Sequence, residues 1–182
     1  GAISIYKTAT NATVVVNGGK VVVGGDSKAA SIGAAGATVT FNGTVGDTEV
    51  QTVVAYIGDA GYTTLEEAIK DAKAGDVVTI MPGEYNMALN VNKAGITVQG
   101  EVDAEGKNLV KFNGKLNITA NGAAVKNIDV KNSGTAAYIN AADVLVENCN
   151  LEGSNGLYQS YAKGTVTFKN SVITGATYGI HF

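Results

Sequence analysis

Three tyrosines recur at a constant interval near the end of this sequence. Tyr138, Tyr158 and Tyr178 are evenly spaced, and Tyr161 lies close to the second of them. On the outside of a protein they would form an aromatic strip on which sugar rings could stack. On the inside they would form an aromatic stack that fills the core. Both arrangements are compatible with the spacing, and these four tyrosines are the candidate ligand-binding residues.

Other residues that commonly carry chemistry are few and isolated. Asp103 and Glu105 lie close together in "DAEG", a sequence typical of a solvated turn. His181 is the sole histidine, and the alternation in "GIHF" predicts that it faces outward from a final strand. Cys149, the sole cysteine, follows the asparagine of a repeated segment, which predicts a buried thiol without a nucleophilic role. We therefore expect no catalytic residue, no metal site and no cofactor.

The composition narrows the class of protein. The 182 residues are 45% hydrophobic and only 16% charged, with 24 Gly and one Pro. This mixture is typical of many short β-strands joined by tight turns. The net charge of −3 argues against a nucleic-acid-binding protein. No segment has the roughly 20 apolar residues of a membrane span, so we expect no membrane insertion.

The first third of the chain is predicted to be rich in β-structure. We expect residues 1–58 to form an N-terminal region that is separate from residues 59–182. In "TVVVNGGKVVV" (Thr13–Val23), Asn-Gly-Gly between two valine triplets predicts a β-hairpin. The segments "ATVVVNG" from Ala12 and "ATVTFNG" from Ala37 read as two copies of one repeated unit.

A single helix is predicted next, in "TTLEEAIKDAKAG". Thr64 and Glu67 form a capping-box pattern at its start. Gly75 is placed to end it in the left-handed conformation, and the strand "DVVTIM" follows directly. Residues with helical spacing form one apolar face: Leu65, Ala68, Ile69 and Ala72.

After this helix the sequence contains only short apolar runs, and three of them align without gaps. They are "VKNIDV" from Val125, "VENCNL" from Val146 and "FKNSVI" from Phe168. A repeat of about 21 residues, with room for three short strands and their turns, fits one coil of a parallel β-helix. Residues 77–182 would fill about five such coils.

The aligned asparagines, Asn127, Asn148 and Asn170, recur at nearly equal intervals. At equivalent turns their amides would donate and accept hydrogen bonds along a stack, which makes them candidates for a structural ladder. The preceding residue alternates in charge between coils, and this predicts a surface ion-pair column. Its members are Lys126, Glu147 and Lys169.

The helix, the strand ending in Pro-Gly, "ITVQGE" and the V-x-N-x-x-V coils together resemble the opening of the pectin lyase-like family of right-handed parallel β-helices. The resemblance covers residues 54–182. It implies an all-β fold, a right-handed parallel β-helix of about five coils, capped by one short α-helix and preceded by the β-rich region. It also implies that Leu65, Ile69 and Ala72 cover the N-terminal end of the solenoid core.

The resemblance allows the family's enzymatic signatures to be sought in this chain. The family's lyases typically use an Arg base and an Asp cluster that holds calcium, and its methylesterases need two Asp and an Arg. This chain contains no Arg. Asp103, Asp129 and Asp143 occur singly, and the Asp-Asp and Gly-His-Gly of polygalacturonases are absent. We therefore expect that the chain is not an enzyme.

The resemblance implies a non-catalytic module of a secreted or surface-exposed bacterial protein, either an adhesin-like binder or a structural solenoid. Polysaccharide or cell-wall glycan is the candidate partner. The alternative is a fragment of a polysaccharide lyase or glycoside hydrolase whose catalytic residues lie outside this chain. The sequence ends in "ATYGIHF" without a capping element. We therefore expect this end to pack on further coils of a longer parent protein or on another copy.

Overall fold

The structure is a computed structural model that describes residues 53–160 and 164–181. Within residues 1–52 it describes the backbone of seven short strands. These are β1 (Ile3–Ile5), β2 (Thr13–Val16), β3 (Lys20–Val21), β4 (Ala30–Ile32), β5 (Thr38–Phe41), β6 (Thr44–Val45) and β7 (Gln51–Thr52).

The described pairings among these seven strands are all parallel. β4 pairs with β1 and β7, β2 pairs with β5, and β3 pairs with β6. The predicted repeat is confirmed, because Thr13 pairs with Thr38, its equivalent in the second copy of the unit. The predicted hairpin is wrong, because β2 and β3 lie in different sheets. Each strand pairs with its equivalent in the next repeat, as in a solenoid, rather than with its neighbour in sequence.

A short hairpin and the helix follow: β8 (Ala55–Ile57), β9 (Ala60–Tyr62) and α1 (Leu65–Asp71). The Thr64 hydroxyl accepts a hydrogen bond from the Glu67 amide at 3.2 Å, which caps the helix as predicted. The helix ends at Asp71 with Ala72 as its C-cap. Gly75, with a φ of 94°, therefore shapes the turn into the next strand instead of capping the helix.

Five coils complete the described chain. The first three have three strands each: β10 (Val77–Ile80), β11 (Gly83–Tyr85) and β12 (Leu89–Val91); β13 (Thr97–Gly100), β14 (Val110–Phe112) and β15 (Leu116–Ile118); β16 (Ala124–Lys126), β17 (Ile128–Lys131) and β18 (Thr135–Ile139). In the last two coils the second and third strands are continuous: β19 (Val144–Glu147) and β20 (Asn150–Gln159); β21 (Val166–Lys169) and β22 (Val172–His181).

Stacking of these coils produces three parallel faces. Face 1 contains β10, β13, β16, β19 and β21. Face 2 contains β11, β14, β17 and the first halves of β20 and β22, and face 3 contains β12, β15, β18 and the second halves. Crossovers between parallel strands are right-handed. The described residues therefore form a right-handed parallel β-helix of five coils with one short helix, the architecture that the resemblance implied.

The N-terminal end of this β-helix is closed by the hairpin and the helix. β8 pairs antiparallel with β10, and β9 pairs with β8, so the hairpin extends face 1 beyond the first coil. The apolar face of α1 joins the solenoid core, and its four residues are each no more than 5% exposed. β8 lies before residue 58, and the division of the chain into residues 1–58 and 59–182 stays a prediction.

The core consists of apolar columns that run along the solenoid axis. On face 1 the column is Val78, Val98, Val125 and Val146, each paired in register with the next and fully buried. The sequence interval between Val98 and Val125 is the longest of the three. The extra length arises from residues 101–109, which leave the coil as a loop and return to it.

We expect Gly100→Ala to destabilise the β-helix. A Cβ at Gly100 would overlap the backbone oxygen of Asn127 in the next coil and lie 2.9 Å from the Val110 Cβ. Since neither atom can move away freely, the free energy of unfolding should fall by about 2 kcal/mol in urea denaturation. In the control Gly134→Ala the added Cβ approaches Asn132 Nδ2 only to 3.7 Å. Equal stability of the two variants would contradict this account of the turn.

Candidate functional site

Tyr138 and Tyr158 lie side by side on the outside of face 3. They are paired in register between β18 and β20, and their rings stack with centroids 5.8 Å apart and planes at 12°. The residues that precede them, Ala137 and Leu157, point into the core and are buried. Both rings are partly exposed. Tyr138 and Tyr158 thus lie on the outside of the solenoid rather than in its core.

Tyr178 does not have the register that its spacing predicts. The register between β20 and β22 shifts after Gly153, so that Tyr178 pairs with Asn155 and His181 pairs with Tyr158. The His181 ring lies edge-on to Tyr158 and tilted against Tyr178, with centroid distances of 5.1 Å in both cases. One aromatic cluster therefore comprises Tyr138, Tyr158, Tyr178 and His181. Tyr161 lies outside the described residues.

The line of outward side chains continues from the aromatic cluster toward the N-terminal coils. Asn117 pairs with Tyr138, and Asn90 pairs with Asn117. The Asn117 amide donates to Asn90 Oδ1 at 2.8 Å. We call this line, with one residue from each of the five coils, the face 3 column: Asn90, Asn117, Tyr138, Tyr158 and His181. It offers amides at one end and aromatic rings at the other.

The three aligned asparagines lie at the turn between faces 1 and 2, which we call the asparagine turn. Asn127, Asn148 and Asn170 have φ angles of 57°, 54° and 49°, a left-handed conformation that asparagine tolerates better than most residues. Asn148 Nδ2 donates to Asn127 Oδ1 at 2.9 Å, and Asn127 Nδ2 donates to the Gly100 carbonyl at 3.4 Å. Extension of this ladder to Asn170 stays a prediction.

Asn108, which the sequence analysis did not single out, is a buried polar residue in the loop of residues 101–109. Its Nδ2 donates to Asp129 Oδ1 at 2.8 Å and to the Asn148 carbonyl at 2.9 Å. Its Oδ1 accepts from Asn148 Nδ2 at 3.2 Å. These bonds hold the loop against the asparagine turn, which is a structural role. The one signal in the sequence was the greater length of this coil.

The other isolated residues also have local structural partners. Asp103 Oδ1 accepts from the amides of Glu105 and Lys107 at 3.1 and 2.7 Å, so the carboxylate closes the predicted turn. The predicted buried position of Cys149 is confirmed, and burial raises the pKa of its thiol to about 11. A thiol with such a pKa is almost fully protonated at neutral pH and is a poor nucleophile.

The predicted ion-pair column on face 1 is confirmed. Glu147 contacts Lys126 at 3.0 Å and Lys169 at 2.6 Å. Hydrogen bonds from Lys169 and then Lys126 hold the pKa of the Glu147 carboxyl below its usual value of 4.5. The Glu147 carboxylate is thus already paired with lysines of the two neighbouring coils. We therefore do not place the functional site on face 1.

The described surface includes the following cavities. One, of about 220 Å³, lies between α1 and β12. Two others, of about 260 and 520 Å³, follow face 2 and share Asn113, Lys131 and Glu152. In residues 53–160 and 164–181, no group of three or more metal-ligating side chains is placed to hold an ion. In the same residues, no helix is long and apolar enough to cross a membrane.

Comparisons with known proteins give matches among solved structures alone. No protein-family model and no curated protein matches the chain. The chain is similar to a pectin methylesterase mutant in complex with a hexasaccharide, with a TM-score of 0.46 and 15% identity. A second structure of pectin methylesterase with a hexasaccharide gives a TM-score of 0.45 and 15% identity. Each match covers 60% of this chain, which spans half the length of the solved chain.

The expectation that the chain is not an enzyme is corrected by this comparison, because the solved structures that it matches are those of enzymes. That expectation was based on signatures absent from the sequence, and absent signatures do not exclude an activity. At 15% identity the likeness concerns the fold, and it assigns neither substrate nor catalytic residues to this chain.

We expect the contribution of Glu147 to stability to depend on pH. Because its pKa is lower in the folded state, the ion pairs stabilise the fold above the ordinary pKa of 4.5. This contribution is lost as the pH falls through the lowered pKa. Glu147→Gln should therefore lower the urea midpoint at neutral pH and leave it unchanged in strong acid. The control Glu105→Gln, in an exposed turn, should have little effect at either pH, and a Glu147→Gln effect that persists in acid would contradict the assignment.

Proposed function

We propose that this chain binds a polysaccharide through the aromatic cluster and the face 3 column. The supporting observation is the gathering of four rings on the outer surface of three consecutive coils. Tyr178 is 52% exposed. A cluster of exposed aromatic rings on the surface of a protein commonly marks a binding site. The C–H faces of a sugar pack on such rings, and its hydroxyls exchange hydrogen bonds with tyrosine hydroxyls and amides.

The geometry of the cluster sets how a sugar would be held. Tyr138 and Tyr158 each cover one face of the other, so they offer ring edges and hydroxyls to a ligand. Tyr178 and His181 are more exposed and offer ring surface. Strands of successive coils are about 4.8 Å apart, so a linear glycan that runs along the solenoid axis would meet one side chain of the column per coil.

The proposal covers two uses of the same surface. As an adhesin-like or structural module of a secreted or surface-exposed protein, the chain would hold a cell-wall or extracellular glycan. As part of a polysaccharide lyase or glycoside hydrolase, it would hold the substrate for catalytic residues that lie outside this chain. Both uses require the aromatic cluster to contact the glycan, so binding is the property to test first.

Binding of the chain to a broad glycan array tests the proposal, with Tyr178→Ala and Tyr158→Ala beside the unsubstituted chain. Since an aromatic contact contributes about 1 kcal/mol, each substitution should weaken binding about fivefold. The matched control is Leu145→Ala, which shortens a partly exposed apolar residue on face 1 and should bind normally. Melting temperatures establish that each variant is folded.

Two results would contradict the proposal: an unsubstituted chain that binds no glycan, or folded tyrosine variants that bind as well as Leu145→Ala. For any glycan that binds, mass spectrometry of the products separates the two uses. Intact glycan after incubation indicates a binding module. New unsaturated, shortened or de-esterified products indicate an enzyme.

A further inference from the structure

The cavity between α1 and β12 has an apolar floor. Leu65, Ile69 and Leu89 are 3%, 5% and 1% exposed and belong to the solenoid core. Met87 lines the same cavity and is partly buried. The cavity measures about 220 Å³, and since an apolar cavity of about 150 Å³ can hold benzene, it has room for one small ring with a substituent.

The rim of this cavity is polar and carries a net positive charge. Lys70, Lys93 and Glu66 lie on it, together with the amides of Asn90 and Asn92. Both lysines are exposed. Among the described residues, neither has a carboxylate oxygen within 4 Å, whereas four other lysines are in ion pairs: Lys111, Lys126, Lys131 and Lys169. The rim thus carries two lysines without a carboxylate partner and one glutamate, which gives it a local net charge of +1.

We propose that this cavity binds a small organic anion with a compact apolar body and one carboxylate or phosphate group. The body would lie on the floor formed by Leu65, Ile69 and Leu89, where it is removed from water. The acidic group would lie at the rim, where Lys70 and Lys93 supply the charge and the two asparagine amides supply further donors. The charged rim would add nothing to the binding of a neutral ligand. The apolar floor would add nothing to the binding of a fully hydrophilic one.

This site is independent of the proposed glycan binding. It lies at the first coil and the helix, whereas the aromatic cluster belongs to the last three coils. The two surfaces meet at Asn90, which lines the cavity and begins the face 3 column. Loss of the aromatic cluster should therefore leave anion binding unchanged, and the two proposals fail separately.

Titration of the whole chain with benzoate, followed by amide chemical shifts in NMR spectra, tests the proposal directly. We expect saturable shifts at residues around the cavity, such as Ile69, Asn90 and Lys93. Benzyl alcohol lacks the charge and acetate lacks the apolar body, so both should bind about tenfold more weakly or worse. Absence of saturable shifts, or benzyl alcohol binding equal to that of benzoate, would overturn the proposal.

Two variants separate the contributions of the rim and the floor. Lys70→Gln with Lys93→Gln should reduce benzoate affinity about tenfold, whereas the control Lys73→Gln with Lys107→Gln removes two exposed lysines outside the cavity and should not. Ala88→Leu should narrow the cavity and weaken binding while both rim lysines remain. Melting temperatures check folding. Equal losses in the two lysine pairs would indicate general charge attraction and reject the site, as would unaltered binding by folded Ala88→Leu.

Discussion

The register between successive coils is the constraint on which this structure depends. Each coil must return to the same angular position so that its strands hydrogen-bond with those of the next coil and its inward side chains join the apolar columns. The asparagine turn at Asn127, Asn148 and Asn170 meets this requirement, because a single left-handed residue bends the chain from face 1 to face 2 without adding length. Surplus residues, such as 101–109, must leave the coil as a loop.

The same constraint decides which side chains meet on the surface. Residues that are distant in sequence become neighbours about 4.8 Å from each other. Each side chain of an outward column must therefore be compatible with its neighbour in the next coil. Asn90 and Asn117 meet this condition through an amide–amide hydrogen bond. Tyr138 and Tyr158 meet it by ring stacking. A column is therefore both a stabilising feature and a ready-made linear surface, which is why the candidate glycan surface follows the solenoid axis.

In the last three coils, the predictions from sequence succeeded close to the asparagine turn and failed farther from it. The segments that begin at Val125, Val146 and Phe168 align in the structure as predicted, because the turn fixes their offset. Tyr178 is out of register because the offset between β20 and β22 is 22 residues, two more than the tyrosine spacing, and a register shift after Gly153 adds one more. Asn108 was missed for a related reason: it bonds to Asn148, which lies two coils further along the chain. The hairpin from Thr13 was predicted from local turn propensity, which the pairing between repeats overrode.

The geometry of the solenoid also explains why the absence of enzymatic signatures from the sequence says little about enzymatic activity. Signatures such as Asp-Asp join residues that are adjacent in sequence, whereas a solenoid brings together residues from different coils. On face 2, Glu84, Lys111 and Asp129 come from three coils and stand in one column, each paired in register with the next. Acid, base and cation can thus be assembled without any local motif. Chemistry on this fold must be judged column by column, and the fold itself is compatible with binding and with catalysis.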